Sequence, residues 1–448
     1  MKSYNRYISA KMETVKRVGI DHGPLHKILF PWQRELVSKA LRRGRFCLFT
    51  DTGTGKTLMQ LEFARHIPGR VLILAPLAVA EQTVREGKLL GIEPKYLRED
   101  DGETRIVVAN YEMLSHFDTS KFTGIVLDES SILKSFTGKI RTQIIDSFVD
   151  TPYRLACSAT PAPNDHMELG NHSEFMGEKT RTEMLAEYFV HDGATTQAWR
   201  LKGHAEDIFW RWVCSWAAFM GKPSDIGFSD AEYQLPQLNM NEHIVEVDHV
   251  AAQAGGMLFA MQARGLSEQR AVRRGTIDRR VKMASEIVNG HGQAIVWCEL
   301  NDESKLATSL IDGAIEITGS DSPEFKRDAL MGFADGKHRV MVSKLKIAGY
   351  GLNLQNCNQM VFLGASHSFE QTYQGIRRCW RFGQKRPVDV HIIRAETEEE
   401  VIANYKRKEI QFAEMRQKMV EHTRHSLEGA RWVEYSPING MEVPSWLR

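Results

Sequence analysis

Three groups of residues in this chain have the types and spacing to act on a triphosphate. The first is Phe49-Thr50-Asp51-Thr52-Gly53-Thr54-Gly55-Lys56-Thr57, set between an apolar run (Phe46 to Phe49) that reads as a strand and Leu58 to Ala64, which reads as a helix. A glycine loop in that context points backbone N–H groups at phosphate oxygens, and the helix N-terminus adds a favourable dipole. Thr52, Gly53, Thr54 and Gly55 form the cradle, Lys56 reaches toward the terminal phosphates, and the Thr57 hydroxyl is placed to ligate Mg²⁺. The stricter form of such a loop opens on glycine, where this chain has Thr50. The second group is Asp128-Glu129, at the end of the apolar run Gly124-Ile125-Val126-Leu127. Asp128 is suited to hold Mg²⁺ through its water shell, and Glu129 to orient and deprotonate an attacking water. The third is Gln374-x-x-x-Arg378-x-x-Arg381-x-Gly383-Gln384. Spacing of four then three predicts one helix face for Gln374, Arg378 and Arg381. Two guanidiniums there suit a triphosphate arriving from across a cleft, and arginine fingers of that kind are worth about 10³–10⁵ in rate. A merely basic, solvated helix carrying Arg377 and Arg386 as well is the competing reading.

The elements that must position these groups follow from the alternation of apolar runs. Strands are predicted at Phe46–Phe49, Val71–Ala75, Ile106–Ala109, Gly124–Leu127 and Arg154–Ser158, then again at Ile295–Cys298, Ala314–Ile317, Val340–Ser343, Met360–Leu363 and Val388–Ile393. Strands alternating with helical stretches imply parallel sheets covered by helices, an α/β fold repeated twice. The rhythm divides the chain into an N-terminal extension (1–28), a first domain (29–165), a Trp-rich helical insertion (166–236), a second domain (237–405) with an Arg-rich linker helix (268–289), and a C-terminal helix and tail (406–448). A helix is expected from Ala205 to Met220, where Phe209, Trp212, Val213 and Trp216 follow the three–four rhythm of a core face in preference to base-stacking platforms. Thr397 and Glu400 read as a capping box opening a helix that runs to about Val420.

Composition narrows the class. A chain of 448 residues with 42% hydrophobic and 26% charged residues has the make-up of a soluble globular protein of more than one core. The net charge of +1 advertises no global affinity for nucleic acid, so any such surface is local. Cysteines 47, 157, 214, 298, 357 and 379 form no Cys-x-x-Cys pair, which argues for reduced thiols in a cytoplasmic protein and against a zinc module. The longest apolar run, Val71 to Ala80, contains Pro76 and is too short to span a membrane. Asp165, His166 and His172 lack a recognised metal-ligand spacing.

Taken together, these motifs resemble superfamily 2 helicase-type motors of the Swi/Snf-like group, most similar to the small stand-alone versions of bacteriophages and prophages. Phe30-Pro31-Trp32-Gln33 matches the family's adenine-reading glutamine, Gln33. Leu74-Ala75-Pro76-Leu77 and Asn110-Tyr111-Glu112 match nucleic-acid-contacting motifs. Ser158-Ala159-Thr160-Pro161 resembles the motif coupling hydrolysis to domain movement, and Ala348 to Leu354, with Gly351, the motif touching nucleotide and DNA backbone. The chain departs from the pattern at Ser130-Ser131, where Ala/Gly-His is usual, and at Lys344-Leu345-Lys346, where Ser-Thr-Arg is common.

The resemblance implies two RecA-like domains closing on Mg·ATP and an ATP-dependent DNA translocase or helicase, a monomer on duplex or branched DNA. An RNA helicase, a nucleotide-gated clamp and a partner-dependent motor subunit remain alternatives. Pro76, Asn110, Lys344 and Lys346 are the backbone-contacting candidates by motif. Arg273 and Arg274 join them by charge alone, a solvated linker helix being the other reading.

Overall fold

The apolar runs form strands because both of their faces are covered. In the first sheet every residue of Val71–Ala75, Ile106–Asn110 and Gly124–Asp128 is buried, as continuous Val/Ile/Leu runs in a parallel sheet require. The computed structural model describes residues 18–134, 138–191, 199–247, 273–290, 292–349, 353–366 and 368–428. Its strands are numbered in chain order: β1 (Arg45–Thr50), β2 (Val71–Ala75), β3 (Lys95–Tyr96), β4 (Ile106–Asn110), β5 (Gly124–Asp128), β6 (Tyr153–Cys157), β7 (Phe189–His191), β8 (Trp199–Leu201), β9 (Ala217–Met220), β10 (Leu238–Val245), β11 (Ala294–Cys298), β12 (Ala314–Ile317), β13 (Val340–Lys344), β14 (Gln359–Leu363) and β15 (Val388–Ala395).

Two parallel sheets result. The first has the order β3-β4-β2-β5-β6-β1-β9 and the second β10-β15-β14-β11-β13-β12, while β7 and β8 form a separate antiparallel pair. The α/β class and the tandem RecA-like arrangement expected from the sequence are therefore present. In each sheet the functional loops leave the carboxyl ends of the strands, where open α/β sheets bind ligands.

Three elements differ from expectation. The helix predicted to reach Met220 ends at Trp216, and Ala217–Met220 instead pairs in parallel with β1, Cys47 opposite Ala217 and Thr50 opposite Met220. The Trp-rich insertion is thus partly a strand of the first sheet, and Trp210, Trp212 and Trp216 lie in its core. The last helix spans Glu399–Glu428, longer than expected. A 3-10 turn, Glu396–Glu398, leads into it, with the Glu398 carboxylate accepting the Ala395 N–H at 3.0 Å, while Thr397 Oγ1 has no hydrogen-bond partner and so forms no box with Glu400. It returns to the first domain, burying Phe412, Met415 and Met419 in that domain's core, and Thr423 Oγ1 accepts the Phe219 N–H at 3.0 Å. All six cysteines are buried free thiols.

Candidate active site

The loop after β1 is built by two left-handed glycines, Gly53 (φ 79°) and Gly55 (φ 76°). A Cβ at Gly55 would stand 2.4 Å from Gln33 Nε2, and one at Gly53 would meet the Phe382 backbone nitrogen at 2.9 Å, so both positions need glycine for space as well as conformation. Thr50, where the first glycine is usual, ends β1, and its Oγ1 lies 2.9 Å from the Thr54 hydroxyl, which also reaches Asp51 O at 2.7 Å. Lys56 Nζ donates to Thr50 O (2.9 Å) and Asp51 O (3.0 Å), curling over the loop, and burial lowers its pKa. Gln33 Oε1 accepts the Phe30 N–H and its Nε2 donates to Thr54 O, both at 2.8 Å, which fixes the expected adenine reader against the cradle. Thr57 sits half-buried in the first turn of the helix Lys56–His66.

Asp128 closes β5, one strand removed from β1, and its Oδ1 accepts Gln60 Nε2 at 2.7 Å. Gln60 was not singled out in the sequence, since one glutamine inside an apolar helix carries no signal. Glu129 has φ 57°, the one non-glycine residue with positive φ among those described, and such strain gathers at functional sites. Burial raises the carboxyl pKa of both Asp128 and Glu129. For Glu129 that moves a proton acceptor toward the range useful at neutral pH.

The second domain supplies the far wall. Gln374, on the helix Phe369–Ile376, donates to Glu129 Oε1 at 2.8 Å. Its own Oε1 accepts Arg378 at 2.6 Å. The helix ends before the arginines, so Arg377, Arg378 and Arg381 project from the turns that follow it, yet Arg378 still meets Gln374, its Nε donating to the Gln374 carbonyl oxygen at 3.1 Å. Arg381 is half-buried, its Nε is enclosed without a hydrogen-bond partner, and desolvation, with Arg378 and Arg377 beside it, pushes its pKa down to about 9. Such a buried, under-compensated cationic cluster beside a phosphate cradle fits a bound triphosphate. Lys56, Arg378 and Arg381 are the groups that could meet its charge, and Thr57 with Asp128 those that could hold Mg²⁺.

Two residues absent from the sequence-derived site also cross the cleft. Arg377 reaches Thr52, and the Tyr373 hydroxyl donates to Asp51 Oδ1 at 2.6 Å. Another is His172, whose Nε2 lies 3.0 Å from Ser130 Oγ. An imidazole thus stands beside the acidic motif that lacks one in sequence, and burial lowers its pKa to about 4. Among the described residues no group of three or more His, Cys, Asp or Glu is arranged to hold a metal.

The nucleic-acid candidates divide. Pro76 opens the helix Leu77–Gly87, Asn110 is buried at the end of β4, Lys344 is half-buried at the end of β13, and Lys346 and Arg274 are exposed. Arg273 is not available: it is buried, donating to Glu398 Oε1 at 3.0 Å and pairing with Glu299 at 2.5 Å. Gly351 lies outside the described residues. Beside Pro76 opens a cavity of about 570 Å³ between the domains, lined by Leu77, Arg85 and Arg98 on one side and Lys326, Arg327 and Asn353 on the other. Those four cations are dispersed in sequence and form no motif.

Residues 26–163 match the family model described as type III restriction enzyme, res subunit, and residues 279–383 match the helicase conserved C-terminal domain. A stretch of 95 residues is 30% identical to a bifunctional helicase and thymine dioxygenase of Leishmania tarentolae, covering 21% of this chain and only 9% of that protein. The chain is also similar to the Sulfolobus solfataricus SWI2/SNF2 ATPase core in complex with dsDNA, with 16% identity, a TM-score of 0.41, and coverage of 93% of this chain and 97% of that one.

Proposed function

We propose that this chain, an ATP hydrolase carrying paired helicase-type domains, is a DNA translocase or helicase of the Swi/Snf-like group that acts on duplex or branched DNA. The observation that carries the motor reading is the division of the site. Glu129 belongs to one domain, while Gln374, Arg378 and Arg381 belong to the other, with Gln374 2.8 Å from the Glu129 carboxylate. Hydrolysis then requires closure, and closure moves one domain against the other.

Mg²⁺ held by Thr57 and Asp128 would neutralise phosphate charge during transfer. Thr52 to Lys56 cradle the phosphates and Gln33 sits where it can read the base. Glu129 takes the proton of the attacking water, and Gln374 aligns the Glu129 carboxylate. Arg378 and Arg381 stabilise charge developing on the transferred group. DNA contact is assigned to Pro76, Asn110, Lys344 and Lys346, a reading supported by sequence resemblance, and to Arg274 by its charge and exposure. On resemblance alone we take the protein as a monomer of the stand-alone bacteriophage or prophage type, working in the cytoplasm. Among the described residues no helix is long and apolar enough to cross a membrane.

The test is steady-state ATP hydrolysis without polymer and with duplex DNA, forked DNA, single-stranded DNA and RNA in parallel. Stimulation by duplex or forked DNA above RNA supports the proposal. Glu129→Gln should keep ATP binding and lower turnover to near background. Bound ATP with no polymer stimulation would replace the motor by a nucleotide-gated clamp.

A further inference from the structure

Asp51 is the second residue of the phosphate loop, and its carboxylate is nearly enclosed by the second domain. Oδ1 accepts the Tyr373 hydroxyl at 2.6 Å and the Thr52 N–H at 2.7 Å. Oδ2 pairs with Arg377 at 3.0 Å, and Arg416 of the C-terminal helix approaches it to 3.9 Å. The Arg377 guanidinium also donates through Nε to Thr52 Oγ1 (2.6 Å) and through Nη2 to Thr52 O (2.8 Å). It lies 4.7 Å from the Trp380 ring centroid and is 1% exposed. Trp380 is itself held, its Nε1 donating to Pro236 O at 2.7 Å. From the other side Asp51 N–H donates to Met220 O of β9 at 2.9 Å.

A planar fork engaging a carboxylate, a carbonyl and a hydroxyl at once is a contact that arginine makes and lysine cannot. None of these atoms needs nucleotide to be satisfied, unlike Arg381 Nε. Because Arg377 adjoins Arg378 and precedes Arg381 by one turn, fixing its guanidinium on Thr52 also fixes where those two side chains enter the site.

We propose that Arg377, with Tyr373, is a positioning residue that latches the second domain onto the phosphate loop through Asp51 and Thr52, so that domain closure is transmitted to the triphosphate cradle directly. The functional part of this inference rests on the ATP-hydrolase reading above; the latch itself does not.

Two readouts keep them apart. Small-angle scattering of the nucleotide-free full chain reports closure: Arg377→Gln and Asp51→Asn should each raise the radius of gyration, the double variant no further than either single. Unchanged compactness in folded single variants, checked by thermal melting, overturns the latch. Turnover reports coupling: each single variant should lower kcat about 10–100-fold, with KM changed less than 3-fold, and the double variant should match the worse single because the two act through one contact. Arg377→Lys should fall between, keeping the charge without the fork. Multiplicative losses in the double variant would overturn the shared contact. If the wild-type chain turns over no ATP while both variants still open, the hydrolase reading fails and the latch stands.

Discussion

Two arginine clusters lie in the second domain, and they differ in what neutralises them. Arg273 and Arg280 sit at the helix Ile277–Asn289. Arg280 pairs with Glu303 at 2.7 Å, both side chains fully buried, and donates to Leu363 O at 2.7 Å. Arg273 is shared between Glu398 and Glu299. Arg377 and Arg378 are as deeply buried and Arg381 is half-buried, but they face the phosphate loop, where Asp51 answers Arg377 and the Arg381 Nε is left unpartnered. Both clusters are runs of basic residues in sequence. Satisfied by carboxylates of its own domain, a buried guanidinium is structure; left short of counter-charge beside a cradle, it awaits an anion.

Substituting Arg381 would break this comparison most sharply. Its lowered pKa means that the fold disfavours its charge, so Arg381→Met should lower kcat about 10³-fold while thermal melting holds or rises. A melting temperature that dropped with activity would place Arg381 in the structural class. Arg280→Met is the mirror image: stranding Glu303 should cost about 3–5 kcal/mol in chemical unfolding, and nucleotide affinity of the remaining folded fraction should be unchanged. The half-buried Lys344 and the exposed Lys346 form a third class. Lys344→Ala with Lys346→Ala should lower the slope of log K against log salt for duplex DNA by about 1–2, leaving ATP binding and stability alone; an unchanged slope removes them from the DNA path.

The smallest effect concerns His172, buried and neutral. Its folded pKa of about 4 lies below the ordinary 6.5, so the unfolded chain takes up the proton first. Its contribution is complete above pH 6.5 and is lost as pH falls toward 4, by up to about 1.4 kcal/mol per pH unit. His172→Gln should flatten that part of the pH–stability curve relative to wild type.

Much of the fold was legible because its signals are local. Val71–Ala75 coincides with the predicted strand, since an uninterrupted apolar run between turn residues admits few other conformations. β9 was not legible. Ala217-Ala218-Phe219-Met220 continues the apolar rhythm of the preceding helix, and pairing with β1 overrides it. Of the three residues expected on one helix face, Gln374 and Arg378 do meet, but the helix stops at Ile376 and Arg381 lies beyond it, because spacing describes a helix only as far as the helix runs.

The sequence by itself determined the phosphate loop, the acidic pair and the tandem α/β plan, because glycine positions, adjacent carboxylates and buried runs act over a few residues. Only the tertiary structure decided which charges are spent on the fold and which face the cleft. Arg377 and Thr52 stand 325 positions apart, and His172 meets Ser130 across 42. The energy of a guanidinium or an imidazole depends on the few atoms around it, and which atoms those are is settled by packing.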